Sequence, residues 1–340
     1  MRISDFDYNL PEERIAHFPP KIRGQTRLLT ISKNGDLGDK RYSDLADYLE
    51  AGDVVVLNNT KVIKARLLAV NSKNQPRELL LIEEHGNSSA FTRKAIYRGS
   101  LKGGETVTVG QTPININKVL DGGLVEVSSN TNLLDLAEQY GTVPLPPYMK
   151  RQANKSDIER YQTVFAKQAG SVAAPTASLN FTQKLVDELT TKGVKIVYLT
   201  LHVGLGTFLP IRTDQVEEHT MHSEYFEIPK NTVVTIKQAK QNGKNVLAVG
   251  TTVARTLEFA HAKILDGPET DISGEANIFI YPGYKFKIVD KLVTNFHAPR
   301  STVLMLTAAF AGWNNLKNAY DHAVEHKYNF LSYGDSTLIE

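Results

Sequence analysis

Residues 54–70 read VVVLNNTKVIKARLLAV, and the texture that they open decides the architecture. From there to about residue 145 the chain offers ELLLIEE (78–84), RKAIYRG (93–99), ETVTVG (105–110), ININKVL (114–120) and LVEVSS (124–129). Gly99, Gly103, Gly104, Gly110, Gly122 and Gly123 punctuate these runs. Short strands at roughly eight- to twelve-residue spacing, with no helix between them, predict a small antiparallel barrel or sandwich. A helix over NLLDLAEQYG (132–141), with Gly141 as its C-cap, is expected to close the region, and VPLPPYMKR (143–151) forms a stiff Pro-rich crossing.

After residue 160 strands and helices alternate. Thr182 has the character of an N-cap for QKLVDELTTKG (183–193), a helix ending at Gly193, and KIVYLTLHV (195–203) is an apolar, β-branched strand. VLAVG (246–250) leads into TTVARTLEFAHAKIL (251–265), with Thr252 as the expected N-cap. NIFIY (277–281), YKFKIVD (284–290) and KLVTNFH (291–297) read as successive strands joined by turns, Pro282-Gly283 among them. STVLMLTAAFAG (301–312) is a helix apolar nearly all round, hence buried, with Pro299 just before it, and an amphipathic helix runs on to Lys327. The first ~50 residues share this second texture. The fold expected is therefore α/β plus all-β: a larger α/β domain, residues 1–55 and 148–340, interrupted by a smaller antiparallel β-barrel-like domain at 56–147.

Composition sets limits. A chain of 340 residues can bury a full core and is expected to form two domains. Thirty-nine Lys plus Arg against 37 Asp plus Glu give no global field that announces nucleic acid, although a local basic face is compatible with them. The absence of cysteine excludes disulfides, thiolate nucleophiles and Cys-ligated metal, and suits a cytoplasmic protein. MRISDFDYNLPEERI at the start lacks the basic-then-apolar pattern of a signal peptide, and VLMLTAAFAGW (303–313) is too short to span a bilayer. No membrane association is expected.

Six loops carry the candidate chemistry. GSVAAPTASLNFT (170–182) puts Ser171, Ala173, Ala174, Pro175 and Thr176 where backbone comes close to something flat, or where a linker runs. LHVGLGTF (201–208) sets Gly204, Gly206 and Thr207 after a buried strand; it lacks the third glycine of a dinucleotide fingerprint, and a strand-ending turn accounts for it equally well. HTMHSEYFEI (219–228) holds His219, His222 and Glu224, with His202 upstream. Proton transfer suits these groups better than zinc, since no second anchored pair is present, so no metal is expected. In VGTTVARTLE (249–258), free N–H groups at a helix start, the hydroxyls of Thr251 and Thr252, and Arg255 one turn in would hold a carboxylate or phosphate; simple capping is the plain reading. NFHAPRST (295–302) offers His297 and Ser301 without a nucleophile elbow, and YNFLSYGDS (328–336) offers Asp335 in a small-residue turn. Strand ends of an open α/β sheet gather at one crevice, so together these loops imply one polar pocket for a flat, anionic ligand.

The same loops, in the same order, resemble the S-adenosylmethionine:tRNA ribosyltransferase-isomerases of queuosine biosynthesis. The resemblance runs from DFDYNLPEERIAHFP and TRLL through GDVVVLNNTKVIKARL, ERYQTVFA and the six loops above, and so covers nearly the whole chain. It implies a β-barrel-like domain set into a larger α/β domain. It also implies transfer and isomerisation of the ribosyl group of S-adenosylmethionine onto an aminomethyl-deazaguanine at the tRNA wobble position. Adenine and methionine leave, S-adenosylmethionine is the co-substrate, and no cofactor is expected. On this resemblance His202, His222, Glu224 and Asp335 are acid–base or sugar-contacting candidates. Ser171, Ala173, Ala174, Pro175, Thr176, Gly204, Gly206, Thr207 and His297 line the substrates, and Arg255 with Thr251 and Thr252 takes the methionine carboxylate. Arg and aromatic residues in YRGSLKGG (97–104), PPYMKRQ (146–152) and the N-terminal segment suit the anticodon loop. A monomer is expected. The chain departs from the family pattern at Asn59, Ser178, Asn180, Leu209, Val253 and Ala254. Those departures leave two rivals open: a diverged paralogue that binds RNA or S-adenosylmethionine without this turnover, and a transferase acting on another amine.

Overall fold

The computed structural model describes residues 1–82, 89–204, 211 and 213–340. Strands β1 (Arg27–Ile31) and β2 (Leu37–Arg41) pair antiparallel, β3 (Val54–Asn58) follows, and a short β4 (Thr60–Val62) leads away from the sheet. Next come β5 (Arg66–Asn71), β6 (Pro76–Leu81), β7 (Thr92–Arg98), β8 (Thr106–Val109), β9 (Thr112–Leu120) and β10 (Leu124–Ser128). They close into an antiparallel barrel in the order β10-β7-β6-β5-β8-β9, as the strand-and-glycine texture predicts. Alternate residues such as Leu67 and Ala69, Val107 and Val109, and Val125 and Val127 fill its interior. Helix α1 (Leu133–Tyr140) packs Leu133, Leu136 and Ala137 onto that core. Its C-cap is Gly141, but at φ −79° rather than in the left-handed conformation. A Cβ there would lie 2.0 Å from the carbonyl oxygen of Lys64, so close approach requires the glycine.

Helix α2 (Lys155–Arg160) precedes β11 (Gln168–Ser171), which pairs parallel with β4, so that the chain's exit from the sheet and its return lie side by side. The remaining elements are α3 (Gln183–Thr191), β12 (Lys195–Leu201), β13 (Glu224–Ile228), α4 (Lys230–Gln241), β14 (Val246–Val249), α5 (Thr251–Phe259), α6 (His261–Leu265), β15 (Ile272–Ala276), β16 (Lys291–Asn295), α7 (Thr302–Ala311), α8 (Trp313–Glu325) and β17 (Ser336–Ile339). They complete a sheet in the order β15-β13-β12-β3-β14-β16-β17-β1-β2. Its centre, β12-β3-β14-β16, is parallel, and every residue of β3 and β14 is buried, as strands covered on both faces must be. The chain visits β3, then β12 on one side, then β14 and β16 on the other. That reversal opens a crevice at the carboxyl ends of β3 and β14.

Two local expectations are corrected. Residues 277–290 contain no strand; β15 ends just before them and only KLVTN becomes one, β16. Over residues 284–290 the cause is Glu258, fully buried at the end of α5. Its carboxylate accepts from the backbone N–H groups of Lys287, Ile288 and Val289 at 2.8, 3.0 and 3.0 Å and from the Tyr284 hydroxyl at 3.1 Å. A carboxylate takes the amides that a neighbouring strand would have taken. Likewise Thr252 is not the N-cap of α5: Gly250, at φ +102°, holds that position. Thr182 and Ser301 do cap α3 and α7, accepting from the amides of Leu185 and Leu304.

Candidate active site

The crevice holds a cavity of about 910 Å³. Glu224, the first residue of β13, and Thr251, Thr252 and Arg255 from the first turns of α5 line it, with His219 and His222 from the preceding loop. The opposite wall is Ser301, Thr302 and Val303 at the start of α7, and Arg2 and Arg300 add two further cations. Gly250 permits this approach: its positive φ turns the chain sharply from β14 into α5.

Glu224 and Arg255 are both buried, and Arg255 Nη1 donates to Glu224 Oε2 at 2.6 Å. The other carboxylate oxygen, Oε1, accepts from the Gly204 amide at 3.1 Å, which draws the end of β12 onto the pair. Yet Arg255 Nε and Thr252 Oγ1, both shielded from solvent, have no partner among the described residues. A buried donor left without an acceptor costs about 1–3 kcal/mol; of twelve such side-chain atoms among the described residues, Arg66 Nε, Arg77 Nε, Arg93 Nε and Arg160 Nε included, these two are the ones on residues that line the cavity. His219 is half-buried and meets Phe279 edge-on. Burial, and secondarily the neighbouring His222, lower its pKa and keep the imidazole neutral.

The small residues of GSVAAPTASLNFT have a structural cause. Val172 packs in the barrel core, Ala173 on one face of the large sheet, Ala177 on the other, and Ala174 in a fourth cluster with Tyr161 and Tyr333. The loop is the junction of four cores, and long side chains would not fit there. Ser171 is fully buried; its hydroxyl donates to the Ala173 carbonyl at 2.6 Å and accepts from the Val203 amide at 2.9 Å. Thr176 donates to Asn295 Oδ1 at 2.8 Å. Ala177 lies 3.6 Å from where a Cβ on Gly250 would stand, so the loop presses on the turn that starts α5.

Of the other residues singled out by sequence, His202 is buried beside Tyr225, with its Nδ1 2.7 Å from the Thr60 hydroxyl. Asp335 is buried and accepts from the amides of Arg27 and Asn329 at 2.7 and 2.8 Å; burial raises its pKa. His297 Nε2 lies 2.8 Å from the Thr294 hydroxyl, and burial pushes its pKa down to about 3. Among the described residues, these three, Ser171, Ala173, Ala174, Pro175 and Thr176 are not part of the cavity's lining. Gly206, Thr207 and Leu209 lie outside the described residues. Among those described, no group of three or more His, Cys, Asp or Glu is placed to hold a metal ion.

Sequence reasoning missed Arg2 and Arg300. Arg2 reaches the cavity through a bridge to Gln215 and a bond from the Ile3 amide to the Asp214 carbonyl, pairings across some two hundred residues that no local pattern encodes. Arg300 is set beside the N-terminal segment by its Asp7 partner, at 2.5 Å.

A family model described as queuosine biosynthesis protein matches residues 3–339. The chain is 52% identical to the S-adenosylmethionine:tRNA ribosyltransferase-isomerase of Chlorobaculum parvum and 44% identical to that of Nitrosomonas europaea. The alignments cover all of this chain and 100% and 97% of those proteins. It is also similar to the crystal structure of an S-adenosylmethionine tRNA ribosyltransferase from Thermotoga maritima, at a TM-score of 0.57 and 32% identity, covering 99% of this chain and 100% of that one.

Proposed function

The chain belongs to the queuosine biosynthesis protein family, and we propose that the cavity between β13 and the starts of α5 and α7 is where its reaction takes place. The protein is an S-adenosylmethionine:tRNA ribosyltransferase-isomerase. It moves the ribosyl moiety of S-adenosylmethionine onto the aminomethyl-deazaguanine of the tRNA wobble position and isomerises it to epoxyqueuosine, releasing adenine and methionine.

In this reading the two unsatisfied donors, Arg255 Nε and Thr252 Oγ1, receive the methionine carboxylate. They are the single observation that carries the assignment. The first-turn amides of α5 add their partial positive charge. Glu224 is already engaged by Arg255 and the Gly204 amide, which suits a brace that aims the guanidinium. The chemistry needs a base for the proton beside the sulfonium and an acid for departing adenine. His219, held neutral by burial, suits the base, and His222 on the same loop suits the acid. His202, Ser171 and Thr176 hold the loops around the crevice, and Asp335 holds the C-terminal turn through two amides.

Four of the departures from the family pattern, Val253, Ala254, Asn59 and Asn180, are compatible with retained activity; Ser178 is buried with its hydroxyl unpartnered among the described residues, and Leu209 lies outside them. Val253 and Ala254 are fully buried in the core under α5, where a hydroxyl is of no use to a ligand. Asn59 Oδ1 accepts from the Thr200 hydroxyl at 2.7 Å, a bond that a carboxylate would accept equally. Asn180 Nδ2 donates to the Gly334 carbonyl at 3.4 Å, a structural contact. A cytoplasmic setting and a monomeric state remain part of the proposal; the cysteine-free composition supports the first. No described helix is long and apolar enough to cross a membrane.

The test is incubation of the purified protein with S-adenosylmethionine and tRNA carrying the aminomethyl-deazaguanine. Free adenine and the digested nucleosides are followed by mass spectrometry. Adenine release together with an epoxide-bearing nucleoside is the expected result. Protein that binds S-adenosylmethionine yet releases no adenine with this tRNA would overturn the reading.

A further inference from the structure

A second surface of the molecule carries chemistry that the cavity does not use. Residues 17–23, HFPPKIR, run along helix α2 and are fastened to its neighbourhood through backbone carbonyls. Arg151 Nε donates to the His17 carbonyl at 2.8 Å, and Arg160 Nη2 to that of Pro20 at 2.7 Å. Arg23 Nη1 donates to the carbonyls of Gln162 and Leu179 at 2.9 and 2.8 Å. Asp157, fully buried, grips the Arg151 guanidinium with both oxygens, at 2.6 and 2.7 Å, and takes the Tyr333 hydroxyl at 2.9 Å. So much anchoring holds a small, rigid face.

That face displays what a folded chain ordinarily hides. Phe18 is 61% exposed, Ile22 57% and Ile158 46%. The Arg151 guanidinium lies over the Phe18 ring, 4.3 Å from its centroid. Residues 17–23 and 150–160 contain Lys21, Arg23, Lys150, Arg151, Lys155 and Arg160 against Asp157 and Glu159; Asp157 neutralises Arg151 and Glu12 neutralises Lys150, which leaves Lys21, Arg23, Lys155 and Arg160 over Glu159 as the positive excess. Lys150 is paired with Glu12, whereas Lys21 and Lys155 are exposed.

We propose that this face docks the RNA substrate, with an unpaired base stacked on Phe18 and flanking phosphates met by Lys21 and Lys155. An exposed aromatic ring backed by a guanidinium, among cations, is the arrangement that receives splayed bases of single-stranded loops. The positive excess complements a polyanion, which a protein partner or a second copy of this chain would not supply. The face is tied to loop 170–182 through buried and half-buried contacts. Arg23 holds the Leu179 carbonyl, and Tyr333 precedes Gly334, whose carbonyl is met by Asn180. The inference rests on tRNA being the substrate.

The experiment measures binding of an anticodon stem-loop RNA by filter retention across a salt series, with steady-state adenine release alongside. It compares wild type, Phe18→Ala, Phe18→Trp and the pair Lys21→Glu with Lys155→Glu. Phe18→Ala is expected to raise the RNA Kd and KM roughly tenfold while the KM for S-adenosylmethionine and kcat at saturating RNA stay put. Phe18→Trp restores binding. The double charge reversal weakens binding and flattens the salt slope by about one to two units. RNA binding within twofold of wild type in Phe18→Ala overturns the proposal, as does a loss of light-scattering mass in that variant with RNA binding intact, which would mark a protein–protein contact. Wild type that binds the RNA without releasing adenine counts against the reaction, and Phe18→Ala then still decides the surface through Kd.

Discussion

At the far end of α5, Glu258 is fully buried and its two oxygens accept four hydrogen bonds, all from the protein. Three residues earlier on the same helix Arg255 is almost as deeply buried, and it keeps one N–H without an acceptor among the described residues, as does the Thr252 hydroxyl one turn before it. Both are buried charged side chains on one helix. Glu258 is saturated by its own chain and thereby shapes that chain, bending residues 287–289 away from strand pairing. Arg255 is saturated only in part, by Glu224 and the Ala276 carbonyl, and in the proposed reading its Nε is left for the ligand. Unspent hydrogen-bonding capacity, more than charge or burial, separates the two residues.

The sharpest way to break this contrast is to remove the saturated carboxylate. Glu258→Ala leaves the amides of Lys287, Ile288 and Val289 without their acceptor. At about 1–3 kcal/mol for each of the three buried amides left unsatisfied, the expected loss is roughly 3–9 kcal/mol, read from urea denaturation. The KM for S-adenosylmethionine of the fraction that stays folded should be unchanged. A large rise in that KM with little loss of stability would abolish the distinction.

Arg255→Lys sharpens the comparison from the other side. Lysine keeps a charge for Glu224 but loses the planar fork and the free Nε. The expected result is a near-normal melting temperature with a ten- to hundredfold rise in KM for S-adenosylmethionine, the size of one charge-assisted hydrogen bond at about 1.5–3 kcal/mol. An unchanged KM would place the carboxylate elsewhere.

This contrast also explains how much the sequence could tell. The barrel was legible because strands of period two separated by glycines admit few alternatives; β3 was not, since VVVLN reads like the first of those strands yet forms the buried centre of the large sheet, which places the start of the barrel at β5 and not at residue 56. Arg255 and Glu224, which line the cavity, were singled out because Arg255 follows the Gly-Thr-Thr start of a helix by one turn and Glu224 follows a histidine-bearing loop. Glu258 was not read as the group that reshapes residues 284–290, because its partners lie about thirty residues away in a run that looks like a strand. In the same way GSVAAPTASLNFT announces close approach without saying to what. The approach is to four cores at once, a fact of tertiary packing.

His297 belongs with the saturated class, since its ring meets Thr294 and its backbone amide donates to the Tyr320 hydroxyl at 3.0 Å. Its pKa is lowered from 6.5 to about 3 by burial. The unfolded chain therefore binds a proton below pH 6.5 that the folded chain refuses. Stability is intact above that pH and falls as pH drops from 6.5 toward 3, by about 1.4 kcal/mol per unit. At pH 5 the deficit is roughly 2 kcal/mol. His297→Gln removes the titration, so thermal melts of wild type and variant should converge near pH 7 and diverge on acidification, with the wild type falling faster. Parallel pH profiles would show that the imidazole is solvated after all.

The smallest expected effect discriminates most finely. In Thr252→Val the isosteric side chain removes a shielded hydroxyl that no protein group satisfies. Were that hydroxyl merely a packing defect, its loss would relieve an unmet donor and leave function alone. If it is an unspent ligand donor, stability should stay level or rise by a few tenths of a kcal/mol, because nothing in the unliganded protein is lost. Affinity for S-adenosylmethionine should then fall about fivefold, the ~1 kcal/mol of one neutral hydrogen bond. Calorimetric titration of variant and wild type reads the second quantity and thermal denaturation the first. Stability and affinity moving in opposite directions is the signature of an open site. Both falling together would put Thr252 beside Glu258 among the groups that only hold the fold.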